Sequence, residues 1–335
     1  MKPLSVVIVG ATGLVGTTLL RVLEERKLPV GELHLFASER SSGARVHAFG
    51  KEVAVSVLDD ERLSKLADID LAFFAAGART SATFAPALAA RGAIVIDKSS
   101  AFRLDSEVPL VVPEANAEAL VGKRLIANPN CATIPLAVAL APLRRRFGLA
   151  WVSVATYQSV SGAGKDALEE FHRQRRGEDK PAQILPRRVE GNLFPENGPF
   201  DESGYSEEEV KIAAELRKIL GDPELPVSAT SVRVPVAVSH SEAVAFATRD
   251  NATLADIARE LRSAPGVTFL EGAGYVTPLE AAGSDAVFVG RLRPDTAHPG
   301  AYLAWVVSDN LRKGAATNAA QIAEAALALR ANAPV

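Results

Sequence analysis

The apolar positions of this chain change rhythm about halfway along. Residues 4–9 form a short run rich in β-branched side chains, the pattern of a strand buried on both faces. A glycine-rich stretch, 10–16, follows. Residues 14–26 then show helical periodicity and end in charge, and 33–37 form a second apolar run. This predicts a strand–loop–helix–strand unit. Residues 70–75 and 93–96 predict two more strands, with a helix over 81–90 between them. Strands that alternate with helices predict a mostly parallel sheet.

Beyond Trp151 the pattern differs. A strand is predicted over 151–158 and a helix over 165–176, followed by a loop over 178–204 rich in Pro, Gly and Asn. A helix over 206–220 has Ser206 as its N-cap and Gly221 just past its end. Runs at 227–238, 243–248, 286–292 and 301–307 predict long strands, some joined by short turns, in an antiparallel α+β arrangement. An alanine-rich stretch, 311–330, predicts a last helix.

The 335 residues are 48% hydrophobic and 23% charged, enough for about two globular domains. A net charge of −3 gives no footprint for nucleic acid or an anionic membrane. The basic clusters 144–146 and 173–176 lie in predicted helices without interleaved aromatics, so they read as solvated faces. The longest apolar runs are too short to span a bilayer. Five scattered histidines have no metal-ligand spacing, so no metal is expected. A single cysteine excludes an intrachain disulfide and suits a reducing, cytoplasmic setting.

The segment Gly10-Ala11-Thr12-Gly13-Leu14-Val15-Gly16 follows the first strand and opens a helix. Glycines there let the backbone approach a pyrophosphate, and the helix N-terminus favours its charge. Gly10, Thr12, Gly13, Leu14 and Val15 are the candidate dinucleotide contacts. The spacing GxxGxxG departs from GxGxxG, so it is the position at the first strand–helix junction that carries the argument. After the second strand, Ser38, Arg40 and Ser41 offer donors suited to a 2′-phosphate, which favours NADP over NAD. Glu39 is the residue that argues the other way.

Cys131, the one cysteine, lies in Asn128-Pro129-Asn130-Cys131-Ala132-Thr133, ahead of a helix predicted over 134–147. Free cysteines usually act as small buried hydrophobes. Here polar, turn-forming neighbours replace the apolar strand that such a residue would have. At a helix start, exposed N–H groups and the helix dipole favour the nucleophilic thiolate, with a pKa expected below the free value of about 8.5.

Taken together, the motifs resemble the aspartate-semialdehyde dehydrogenase family. The resemblance is carried by the glycine loop, Ser99-Ser100-Ala101-Phe102-Arg103, Val112-Pro113-Glu114 and Asn128-Pro129-Asn130-Cys131. It continues through Tyr157-Gln158-Ser159-Val160-Ser161-Gly162, Val232-Arg233-Val234-Pro235-Val236, His240-Ser241-Glu242-Ala243 and residues 308–316, in the family's order. Lys98, Ala132, Pro135 and the segment 178–200 depart from the usual pattern.

The resemblance implies an α/β fold with two domains. One is a Rossmann-like dinucleotide-binding domain over 1–127, onto which a C-terminal helix over 310–335 packs back. The other is an α+β catalytic and dimerisation domain over 128–309 with a mostly antiparallel sheet. The site is expected in the cleft between them. Family enzymes make aspartate β-semialdehyde from β-aspartyl phosphate with NADPH, on the route to lysine, threonine and methionine. Cys131 is then the nucleophile, His240 the general acid/base and Gln158 an orienting residue. The Cys131 N–H and the Asn130 side chain are candidate oxyanion donors. Arg233 would take the substrate α-carboxylate, Glu208 its amino group, and Arg103 and Lys211 its phosphate. Ser161, Gly162 and Asn310 would join the cofactor site. By spacing alone, Glu208 and Lys211 also suit a solvated i,i+3 ion pair on a heavily charged helix.

The expected partners are a small-molecule substrate and a second copy of the chain, as a homodimer or a tetramer. Two other readings compete. One is N-acetyl-γ-glutamyl-phosphate reductase, whose acylated substrate would leave Glu208 without a use. The other is a non-catalytic relative, which would be expected to have lost Cys131, His240 or Arg233.

Overall fold

The computed structural model describes residues 2–178 and 181–331. Parts of two expected segments, residues 179–180 of the loop and 332–335 of the C-terminal helix, lie outside the described residues. The backbone forms two units. One runs to Pro129 and resumes at Ala315, and the other spans Asn130–Gly314.

The first unit holds β1 (Leu4–Val9), β2 (Val30–Phe36), β3 (Arg45–Ala48), β4 (Lys51–Ser56), β5 (Leu71–Phe74), β6 (Ile94–Asp97) and β7 (Leu125–Ala127). They form one sheet in the order β3-β4-β2-β1-β5-β6-β7. All neighbours are parallel except the hairpin β3–β4. Alternate residues of the inner strands face opposite sides. Ile8, Phe73 and Ile96 pack with Leu19 and Leu23 of helix Leu14–Glu25 and with Ile322 of helix Thr317–Ala331. Val9, Phe74 and Val95 pack with Leu88 of helix Ala78–Ala90 and Leu63 of helix Asp60–Lys65. Burial on both faces is why these strands read as continuous apolar runs. β1 lies between β2 and β5, so the strand order reverses at its carboxyl end, where the glycine loop begins.

The last helix starts later than the alanine pattern predicts. Residues Arg312–Ala316 form a π turn, and the α-helix runs over Thr317–Ala331. Asp309 causes the offset. Its carboxylate accepts the N–H groups of Leu311 and Arg312, and its carbonyl accepts that of Gly314. Within its unit the helix is tied down by Asn318, whose amide donates to the Val111 carbonyl and to Asn128 Oδ1.

The second unit holds β8 (Leu149–Gln158), β9 (Val227–Arg233), β10 (His240–Thr248), β11 (Val267–Phe269), β12 (Val287–Pro294) and β13 (Ala301–Ser308), in the order β11-β12-β13-β10-β8-β9. The three central pairings are antiparallel and the two outermost are parallel. Leu136 and Leu140 of helix Thr133–Phe147 and Leu261 of helix Leu254–Ser263 meet Val244, Phe246 and Val306 on one face. The long strand predicted over 227–238 is shorter, because Pro235 follows Val234 and cannot donate to a ladder. β10 instead begins three residues before the predicted 243, at His240, directly after Ser239 in a left-handed conformation (φ +73°).

Candidate functional site

In the first unit the glycine loop is shaped by backbone packing. Gly10 has φ +90°, and a Cβ there would lie 2.6 Å from the Ala75 carbonyl carbon. A Cβ on Gly16 would lie 2.8 Å from Ala11 Cα and would overlap the Gly10 carbonyl. Close approach of the loop to the end of β5 requires glycine at 10, and close approach of the helix to the loop requires glycine at 16. Gly13 is the N-cap of helix Leu14–Glu25 and has no side chain to cap it, so the first-turn N–H groups of this helix are open to an anion. The Thr12 hydroxyl donates to Ser41 Oγ at 3.0 Å. That bond ties the loop to the short 3₁₀ turn Glu39–Ser41 beyond β2, with Ser38 and Arg40 exposed beside it. This donor-rich edge fits a nicotinamide dinucleotide. Arg103, also in this unit, is buried and donates from Nη2 to the Lys98 carbonyl at 2.7 Å.

In the second unit a thiol cluster is built from side chains far apart in sequence. Cys131 stands one residue before Ala132, the N-cap of helix Thr133–Phe147, and its Sγ lies 3.3 Å from His240 Nε2. Pro135 falls in the first helical turn, where proline is tolerated. Asn130 Oδ1 accepts the Ala132 N–H at 2.8 Å, which fixes the turn that presents the thiol. Asn130 Nδ2 and Gln158 Nε2 both donate to Glu208 Oε1, at 2.9 and 3.0 Å. The structure thus brings Cys131, His240, Asn130, Gln158 and Glu208 together.

Arg233 closes β9 and is buried. Its Nη1 donates to the Ser159 carbonyl at 2.6 Å, and its Nε has no partner among the described residues. Burial pulls the guanidinium below its ordinary pKa, while the charges of Glu208 and Cys131 oppose that pull. A cavity of about 460 Å³ opens beside Arg233, lined also by Ala163, Leu185, Glu196 and Asn197. Gly162 seats both groups. A Cβ there would come within 3.1 Å of the His240 ring and 3.2 Å of Arg233 Nη1. Ser161 and Asn310 hydrogen-bond to each other in the buried layer behind the imidazole.

The i,i+3 pair of Glu208 and Lys211 that spacing alone allows does not form. Lys211 Nζ pairs with Glu207 at i,i+4, at 2.5 Å, which leaves Glu208 to the thiol cluster. This helix, Glu207–Leu220, is also less solvated than its charge predicts. Glu209 is buried and accepts the Ser231 N–H. Glu215 is fully buried and accepts the Asn130 N–H at 2.6 Å. Glu208 and Glu215 are seven residues apart, so they share the face that supports the Cys131 turn. That spacing was the available signal.

Sequence reasoning also assigned nothing to Glu170, Gln174 or Glu242. Glu170 accepts the N–H groups of Gln183 and Ile184, and Gln174 accepts those of Val189 and Glu190. Together they pin the loop that lines the Arg233 cavity. Phe194 then pairs with Arg233 through two main-chain bonds. Glu242 follows His240 by two residues on β10, so both point to the same side of the sheet. Its carboxylate oxygens are buried without a partner among the described residues, and burial pushes the carboxyl well above the usual range. Among the described residues no cluster of His, Cys, Asp and Glu could hold a metal, and no helix is long and apolar enough to cross a membrane.

A glycine-loop unit followed by a unit carrying a thiol–imidazole pair suits a dehydrogenase with a cysteine nucleophile. Residues 5–123 match the family profile of the semialdehyde dehydrogenase NAD-binding domain, and 140–313 match that of the semialdehyde dehydrogenase dimerisation domain. Aspartate-semialdehyde dehydrogenase of Aquifex aeolicus is 47% identical over 95% of this chain and 96% of its own length. The Bacillus subtilis enzyme of the same name is 42% identical over 96% of this chain and 97% of its own. The crystal structure of aspartate semialdehyde dehydrogenase II from Vibrio cholerae, complexed with ASA, superposes with a TM-score of 0.93 at 41% identity, covering 98% of this chain and 99% of that one. The chain belongs to the aspartate-semialdehyde dehydrogenase family.

Proposed function

We propose that this protein reduces β-aspartyl phosphate to aspartate β-semialdehyde with NADPH, and runs the reverse reaction, in lysine, threonine and methionine biosynthesis. The observation that carries the reading is the 3.3 Å contact of Cys131 Sγ with His240 Nε2, beside Glu208 held by Asn130 and Gln158. Cys131 attacks the acyl carbon, phosphate leaves, and a thioester forms on sulfur. A nucleophile of this kind divides one difficult displacement into two easier steps. The bound nicotinamide supplies the hydride. His240 hydrogen-bonds to the sulfur and serves the oxygen of the tetrahedral adduct as acid/base, with the Cys131 N–H and Asn130 amide as further donors.

Arg233 takes the α-carboxylate, since its planar guanidinium lines a cavity and such a fork suits a carboxylate. Glu208 takes the α-amino group, which favours the free amine over an N-acylated substrate. Arg103 and Lys211 serve the phosphate, and Ser161, Gly162 and Asn310 border the nicotinamide. The Thr12–Ser41 edge with Ser38 and Arg40 supports NADP over NAD. The protein works in the cytoplasm as an oligomer, a dimer at least. The half-buried face of the second sheet, with Trp151, Ala155, Tyr157, Ala243, Leu303 and Trp305, is covered by a second copy.

The test is a steady-state assay of the full chain with aspartate semialdehyde and phosphate, comparing NADP with NAD. Turnover is expected with NADP. Cys131→Ala is expected to lower kcat by at least about 10³-fold while cofactor binding persists. Activity that survives this substitution, or a preference for N-acetylglutamate semialdehyde, overturns the reading.

A further inference from the structure

His240 presents its two ring nitrogens to different partners. Nε2 faces Cys131 Sγ at 3.3 Å. Nδ1 lies 3.0 Å from the Ser159 main-chain nitrogen and 3.1 Å from the Ser159 hydroxyl. A main-chain N–H can only donate, so Nδ1 must be the accepting nitrogen, and the proton of the neutral ring sits on Nε2, directed at sulfur.

The clamp around Nδ1 is itself held in place. Asn310 Oδ1 accepts the Ser239 N–H at 2.9 Å and stands 3.2 Å from the hydroxyls of both Ser159 and Ser161. Asn310 Nδ2 donates to Ser161 Oγ at 3.0 Å. One amide therefore joins the end of β8 to the residue that launches β10, and that residue, Ser239, has a left-handed backbone. All five residues of the network are buried, each at most 3% exposed. In so enclosed a layer a polar group without its partner would be costly, so the arrangement is held closely.

We infer that Ser159 and Asn310 are positioning residues that hold His240 as an Nε2–H donor toward Cys131. The inference rests on the proposed function and sharpens it. In the resting enzyme the sulfur meets a neutral N–H rather than an imidazolium, because a proton on Nδ1 would oppose the Ser159 N–H. Asn310 thereby acts on the chemistry through the imidazole, in addition to any part in seating the nicotinamide.

The experiment uses the ¹⁵N-labelled full chain without substrate or cofactor. Histidine side-chain spectra are recorded, and His240 is assigned by its absence from His240→Gln. The expected result is a pyridine-type, accepting Nδ1 and a protonated Nε2. An Nδ1–H or doubly protonated ring overturns the proposal. Asn310→Ala is expected to mix the tautomers and to lower kcat about tenfold or more at saturating cofactor, beyond any change in the cofactor KM. Asn310→Asp, which keeps an acceptor for the Ser239 N–H, is expected to restore the tautomer. An unchanged tautomer in Asn310→Ala, or a defect confined to the cofactor KM, also overturns it. If Asn310→Ala does not fold, the wild-type spectrum decides alone. The spectrum does not depend on which semialdehyde is turned over, so failure of the assay and failure of this proposal are separate outcomes.

Discussion

The glycine loop of the first unit and the thiol cluster of the second are built from different materials. The loop is made of backbone. Gly10 and Gly16 matter for the atoms they lack, and Gly13 leaves helix N–H groups uncapped. The cluster is made of side chains drawn from residues 130 to 310 and fixed by buried hydrogen bonds. A backbone site tolerates loss of a side chain and fails on gain of one. A side-chain site fails on loss of one.

The largest effect expected from that contrast is in the loop. Gly16→Ala forces a Cβ against the Gly10 carbonyl and Ala11, and should destabilise the protein by about 3 kcal/mol and abolish cofactor binding. Removing a side chain nearby, Thr12→Ala, should cost only about 1 kcal/mol, the scale of its bond to Ser41. Denaturant midpoints and cofactor titrations check both, and equal losses for the pair would break the contrast.

In the thiol cluster a conservative exchange should hurt. Arg233→Lys keeps the charge but loses the planar fork, so KM for aspartate semialdehyde should rise about tenfold or more, with kcat much less changed. Kinetics with KM unmoved would remove Arg233 from the carboxylate's partners.

The smallest effect concerns Glu242, the buried carboxyl raised by desolvation. Its folded-state pKa lies above its unfolded value, so as pH rises past the ordinary carboxyl range the unfolded chain loses a proton that the native state keeps. Stability therefore falls with rising pH on its account. Glu242→Gln removes that dependence. The variant should equal or exceed the parent in stability at neutral pH, and the gap should widen toward alkaline pH and close below the carboxyl range. Melting curves across pH measure this. A variant less stable at high pH than at low pH, relative to the parent, would mean that Glu242 is ionised in the fold.

Legibility in the sequence followed the same divide. β1, the glycine loop and the following helix were readable almost to the residue, because each is a local pattern: an apolar run, glycines, then a helical period. Cys131 and His240 were readable as types in a family order. The burial of Glu209 and Glu215 was not, since acidic residues on a helix read as solvated until their long-range donors, the Ser231 and Asn130 N–H groups, are in place. The end of β9 at Arg233 escaped notice because Pro235 was outweighed by a long β-branched run. The hairpin β3–β4 drew no prediction, because much of it is exposed and its apolar alternation is short.

The chain's own order of residues determined where the backbone could bend closely, where a helix could begin, and which side chains could supply a nucleophile, a base and a cation. Those choices are local, set by sterics and side-chain chemistry within a few residues. Only the tertiary structure decided which nitrogen of His240 faces the sulfur, which glutamate pairs with Lys211, and which carboxyl is buried without a partner among the described residues. Those outcomes depend on burial and on donors 50 to 100 residues or more away in sequence, and a single strand of text does not place them.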